Sequence, residues 1–189
     1  MIPIKFKQAK YYTRGRTAPI RLIVLHSAEC AEVDAAAESL SAYGTAMPDA
    51  IKASWHYAVD QDSVTQAVKD TDTANHAVGA NPFSIGVEHA GRASQTAFEW
   101  LDEYSAAMLR LSAQLVGSLC FKHGLPAVFV DAEGLKRGDK GITTHAEVTK
   151  AWRKGTHWDP GPNFPMEWYL TAVEEELVGL RVLAAEHGS

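Results

Sequence analysis

The stretch Ile20-Arg21-Leu22-Ile23-Val24-Leu25-His26-Ser27 decides the fold. Its apolar, β-rich run over residues 20–25 reads as a buried strand, closed by a polar His-Ser pair. Outward from it, helix and strand signals are interleaved. Residues 33–43 are alanine-rich, with Val33, Ala36, Ala37 and Leu40 at helical spacing, and predict a short helix ending near Gly44. Residues 54–60 and 63–68 predict two strands joined by a tight turn at Gln61-Asp62. Residues 84–89 predict another strand, running into a turn at Gly91. The clearest helix covers 98–123, where Leu101, Tyr104, Met108, Leu111, Leu115 and Leu119 recur at three- and four-residue steps until Gly124 stops it. A last helix covers about 165–184, with Pro165 in its first turn and Met166, Leu170, Val173, Leu177 and Leu180 on one face. Residues 127–141, with several charges and glycines, read as a surface loop. The sum is a single α/β domain over 1–189, a central mixed β-sheet flanked by helices.

Composition narrows the function. Hydrophobic residues make up 46% and charged ones 22%, the balance of a soluble globule able to bury a core. The formal charge of -5 and the lack of a strongly basic tract argue against nucleic acid as a partner. Cys30 and Cys120 are too few for a disulfide framework. Residues 1–7 hold no apolar signal-peptide core, and no stretch is long enough for a membrane span. The expectation is a monomer made in the cytoplasm.

Three stretches carry metal-ligand side chains. His26 closes an apolar strand and is therefore held on a stiff element, which suits a zinc ligand. Taken alone, such a histidine more often just hydrogen-bonds a neighbour. His145 follows the short β-branched run of Ile142-Thr143-Thr144. In Thr156-His157-Trp158-Asp159-Pro160-Gly161-Pro162 the prolines forbid a helix and keep Asp159 extended, so His157 and Asp159 can face one site. Asp159-Pro160-Gly161 is also ordinary turn chemistry. By chemistry alone, either His157 or Asp159 could be the third ligand.

Six motifs follow in order: Ile23-Val24-Leu25-His26-Ser27, Ser54-Trp55-His56-Tyr57, Asn75-His76-Ala77-Val78-Gly79, Ser84-Ile85-Gly86-Val87-Glu88, Thr144-His145-Ala146-Glu147 and Asp159-Pro160-Gly161-Pro162. In order and spacing they resemble the zinc-dependent type 2 N-acetylmuramoyl-L-alanine amidases, from about residue 20 to about residue 170. That family includes phage endolysins, wall-recycling amidases and peptidoglycan recognition proteins. The resemblance implies bacterial peptidoglycan as substrate and Zn2+ as cofactor. The bond cut would join the muramic acid lactyl group to L-alanine. It also implies that His26, His145 and Asp159 hold the metal, with a fourth position open for water as in catalytic zinc sites.

Glu88 falls where many members carry a catalytic glutamate that moves the proton of that water. His157 stands where many have lysine, taken to stabilise the oxyanion. With a pKa of about 6.5 against about 10.4, a histidine there is charged only conditionally near neutrality. Trp55 stands near the place of a catalytic tyrosine in some members, and Tyr57 is given no role. His76, His56 and Trp55 are the candidates for substrate contact, with an ordinary structural role as the alternative for both histidines. Ser27 and Ser84 would support the ligands from behind, and Cys30 reads as a small buried hydrophobe. His89, His123 and His187 match no motif. The 156–162 segment looks most like phage endolysins; a muropeptide-recycling amidase and a non-catalytic peptidoglycan-binding module are the alternatives.

Overall fold

The 20–25 run builds the middle of the sheet. In the computed structural model, which describes residues 2–187, the strands are β1 (Ile4–Phe6), β2 (Leu22–Ser27), β3 (Tyr57–Val59), β4 (Val64–Gln66), β5 (Ser84–His89) and β6 (Gly141–Thr144). The ends of the 1–189 span lie outside the described residues. The sheet order is β1-β4-β3-β5-β2-β6. Only the β3–β4 hairpin is antiparallel, so the sheet is mixed.

Helices α1 (Ala36–Thr45), α2 (Glu103–His123), α3 (Ala132–Arg137), α4 (His145–Trp152) and α5 (Met166–His187) cover both faces. Ile23, Leu25, Ile85 and Val87 pack with Met108 and Val116 of α2 and Tyr169 and Val173 of α5. Leu22 and Val24 face the other way, onto Leu135 of α3 and Val148 of α4. Trp55, Ala58 and Met47 form a third cluster with Ala37 of α1. Burial on both faces explains why β2 reads as an unbroken apolar run and not as an alternating one. By strand alternation, His26 and Glu88 share the side of Leu22, Val24 and Gly86.

Several boundaries differ from the sequence reading. The long helix starts at Glu103, not 98, because the Asp102 side chain accepts the Ser105 N–H at 2.9 Å and caps it. Leu101 falls in a separate 3-10 turn and is half exposed, so the buried stripe runs through Met108, Leu115 and Leu119. In α5 the buried positions are Tyr169, Val173 and Leu177. Residues 127–141 are not all loop. Asp131 caps α3 by accepting the Gly134 N–H at 2.8 Å, Leu135 is buried, and Gly138 ends the helix at φ 89. Helix α4, unforeseen, starts on the Thr144-x-x-Glu147 signature, the Thr144 hydroxyl accepting the Glu147 N–H at 3.2 Å. Among the described residues no helix is long and apolar enough to cross a membrane.

A buried histidine ties the helices to the sheet. His89 Nδ1 donates to the His26 carbonyl at 2.8 Å, and Nε2 lies 2.7 Å from the Ser112 hydroxyl, itself bonded to Tyr169. Burial pushes the His89 imidazole down to about 4. Its unfolded pKa is about 6.5, so between these values the unfolded chain takes up a proton that the native state refuses. Stability should therefore fall by roughly 3 kcal/mol from this group as pH drops from 6.5 to 4, with no further loss below. Urea unfolding at pH 7 and pH 4 checks this, and a His89→Gln variant should lose less over the same step.

Candidate active site

Strand register assembles the centre. β2 and β5 run parallel with His26 directly beside Glu88. On the other side of β2, Leu25 pairs with Thr144, so the next residue, His145, arrives beside His26 as the first residue of α4. All three lie at the carboxyl ends of parallel strands, where α/β sheets present ligand-binding groups.

The fourth contributor is the segment after α4. Ala146 N–H donates to the Asp159 carbonyl at 3.0 Å, and Gly161 N–H to the Trp158 carbonyl at 3.1 Å, so Asp159 sits in a turn as well as in the site. Gly161 has φ 96, and a Cβ there would lie 1.9 Å from the Ala93 carbonyl oxygen. Only glycine allows this approach. Gly161→Ala should cost at least about 2 kcal/mol through left-handed strain and backbone clash. The thermal midpoint should then drop by about 5 °C or more, as read by circular dichroism.

His26 Nδ1 lies 3.0 Å from Asp159 Oδ2, and His145 Nδ1 lies 3.2 Å from Asp159 Oδ1. The two imidazoles are 4.7 Å apart, and the ligand atoms of His26, His145 and Asp159 all lie within 4.8 Å of one another. All three residues are buried. Zinc bound tetrahedrally at its usual lengths spaces its donors roughly 3.3 Å apart, so two nitrogens and one carboxylate oxygen at these separations fit the ion. Burial would raise the Asp159 carboxyl, but the His145 and His26 imidazoles beside it hold it well below the usual range.

Glu88 Oε1 stands 4.0 Å from His26 Nδ1. Burial, then Asp159 and Glu29, push its carboxyl well above the ordinary carboxylate range. His157 is stacked on His145 at 3.9 Å and 14°, with Nδ1 3.7 Å from Asp159 Oδ1, and is mostly exposed. Burial and the neighbouring His145 lower its pKa. These groups share a cleft of about 260 Å³ with Trp55, Tyr43, His76 and Glu29.

Other candidates take different places. His56 has no exposed surface, which corrects its reading as a substrate contact. Its Nδ1 accepts the Gly86 N–H at 3.0 Å, and Nε2 lies 2.7 Å from Arg16 Nη2, all beneath the cleft floor. His76 reaches the cleft with only 9% of its surface and turns its nitrogens inward, to His26 and Ser84. Trp55 is buried in the cleft wall. Tyr57 donates to Asp70 at 2.6 Å, and Cys30 is half-buried against the core. The Ser27 hydroxyl goes to Glu29, not to a ligand. Sequence reading missed Glu29, a cleft residue with φ 53 whose carboxylate also accepts the Ala93 N–H at 2.8 Å. No periodicity or motif marks it.

A mixed sheet gathers two imidazoles, a shared carboxylate and a largely buried carboxyl at one edge, in an α/β protein whose His-His-Asp group could hold a metal ion. The family described as N-acetylmuramoyl-L-alanine amidase matches residues 16–162, and the chain belongs to that family. It is an enzyme of peptidoglycan breakdown. N-acetylmuramoyl-L-alanine amidase A of Achromobacter lyticus is 30% identical over 128 residues, covering 62% of this chain and 67% of that protein. Among solved structures, the Staphylococcus aureus hydrolase AmiA in complex with its ligand aligns with a TM-score of 0.72 at 18% identity, over 95% of this chain and 86% of that one. The Clostridium intestinale amidase LysC aligns at 0.62 and 14%, over 92% and 99%. A mutant endolysin from Bacillus subtilis aligns at 0.57 and 18%, over 92% and 99%.

Proposed function

We propose that this chain is a zinc-dependent amidase acting as a phage or prophage endolysin, a monomer whose single domain spans 1–189. The observation that carries the zinc reading is the meeting of His26, His145 and Asp159, from three remote stretches, around one point. Zinc held by His26, His145 and Asp159 would supply Lewis-acid chemistry toward water and the scissile carbonyl. Glu88 takes the proton of the attacking water and passes it to the leaving L-alanine amine, which a carboxyl of raised pKa does readily. His157, at the open rim, donates a hydrogen bond to the carbonyl oxygen as charge develops on it. Its lowered pKa makes it a neutral donor at pH 7, without the fixed charge a lysine would bring. Trp55 and His76 form the wall against which the substrate lies. The endolysin role is supported by the 156–162 segment and by the endolysin among the structural relatives.

Purified walls treated with the zinc-loaded protein should lose turbidity and gain new L-alanine amino termini. Chelation should stop the release and added zinc restore it. In the same assay His157→Ala should keep its zinc and lose about 10²–10³-fold in turnover. Binding to walls with no new amino termini would leave a binding module instead. Activity confined to small soluble muropeptides would leave a recycling enzyme.

A further inference from the structure

Behind His26 runs a line of buried polar atoms that the hydrolysis does not itself use. His26 Nε2 lies 3.0 Å from His76 Nδ1, and His76 Nε2 lies 3.0 Å from Ser84 Oγ. The Ser84 hydroxyl in turn donates to the Ala80 carbonyl at 2.8 Å. A carbonyl only accepts, and a serine has one proton to give. Ser84, having given its proton to Ala80, accepts from His76 Nε2–H. His76 then turns a bare Nδ1 toward His26 and accepts from its Nε2–H. His26 is left with an unprotonated Nδ1, on the side where Asp159 Oδ2 stands 3.0 Å away. A bare imidazole nitrogen and a carboxylate oxygen that close can serve together as two ligands of one metal ion.

The His76 ring is seated for this task. A Cβ at residue 86 would lie 2.6 Å from both Cγ and Nδ1 of His76, so the glycine in β5 is the floor on which the ring rests. The Asn81 side chain accepts the backbone N–H groups of His76 (3.1 Å) and Ala77 (2.6 Å), which fixes the loop above.

We propose that His76 is a positioning residue: with Ser84 and the Ala80 carbonyl it locks His26 in the Nε2–H tautomer, so that Nδ1 is offered as a metal ligand. The inference rests on the zinc reading above. The opposite proton order would place a hydrogen on Nδ1 and close the site to the ion. Hydrogen bonds to the far nitrogen of a ligating histidine commonly govern metal affinity.

Zinc affinity measured by chelator competition on the metal-free protein tests it. His76→Ala and Gly86→Ala should each weaken zinc binding by about 10- to 100-fold. His76→Asn, whose Oδ1 takes the place of Nδ1, should recover most of that loss. In ¹⁵N-histidine spectra of the zinc-loaded wild type, the His26 proton should sit on Nε2, with a nitrogen–nitrogen coupling across the hydrogen bond to His76. A purely structural role would not produce that coupling. Should Gly86→Ala fail to fold, His76→Ala with His76→Asn decides the matter. Wild-type affinity in His76→Ala, or a proton on His26 Nδ1, overturns this inference and leaves the zinc reading standing. A wild type that takes up no zinc overturns both.

Discussion

Asp159→Ala should abolish zinc binding and lower turnover by at least about 10³-fold, some 4 kcal/mol of barrier. Asp159 faces both imidazoles, giving one oxygen to His26 and the other to His145. It would also supply the negative charge of the proposed ligand set, and the imidazoles beside it keep it ionised despite burial. Two neutral histidines alone form a weak site for a divalent ion. The consequence extends to stability, because an ion that binds only the native fold stabilises it by mass action. With zinc at about 1,000 times its dissociation constant the gain is about 4 kcal/mol. Adding zinc should therefore raise the thermal midpoint of the wild type by on the order of 10 °C and leave Asp159→Ala where it was. Metal content by elemental analysis, thermal melts with and without zinc, and amino-terminus release from walls read the three effects. A variant that keeps a full equivalent of zinc would remove Asp159 from the ligand set.

The sequence was most legible where packing is least ambiguous. β2 and β5 are buried on both faces, so their apolar runs stand out, and their ends at Ser27 and His89 agree with the structure. The α2 stripe is legible for the same reason, although its start had to be found from the Asp102 cap and not from Phe98 and Leu101, which are exposed. β1, three exposed residues held by pairing with β4, offers no pattern to read. Helices α3 and α4 are short, and the signals that mark them are caps. For the site, the motifs named residues that the fold brings within reach of one another, but they could not tell inward from outward. His26 and His56 both stand among apolar neighbours in the sequence. Pairing of β2 with β5 and β6 turns His26 to the cleft, while His56 is bound to Gly86 beneath it. Glu29 was invisible because its place depends on a left-handed turn and on Ala93, 64 residues away in the chain.

Glu88→Gln should keep zinc and lose about 10²–10⁴-fold in turnover, the usual worth of a positioned acid–base group. The amide matches the carboxyl in size and still accepts hydrogen bonds, but it cannot carry a proton from water to the leaving amine. The pH profile separates this from mere damage. Burial, Asp159 and Glu29 raise the Glu88 pKa, and the group must be ionised to act as a base. Wild-type activity should accordingly rise with pH as Glu88 ionises, and the variant's residual activity should lack this limb. Stability should move the other way. A group whose folded pKa lies above its unfolded value costs stability as pH rises past the unfolded value, because the unfolded chain ionises first. In the zinc-free protein at pH 7, Glu88→Gln should therefore melt higher than the wild type, a gain in stability at a position where activity is lost. A variant as active as the wild type would place the proton transfer elsewhere. One that is both inactive and less stable would make Glu88 a structural carboxylate.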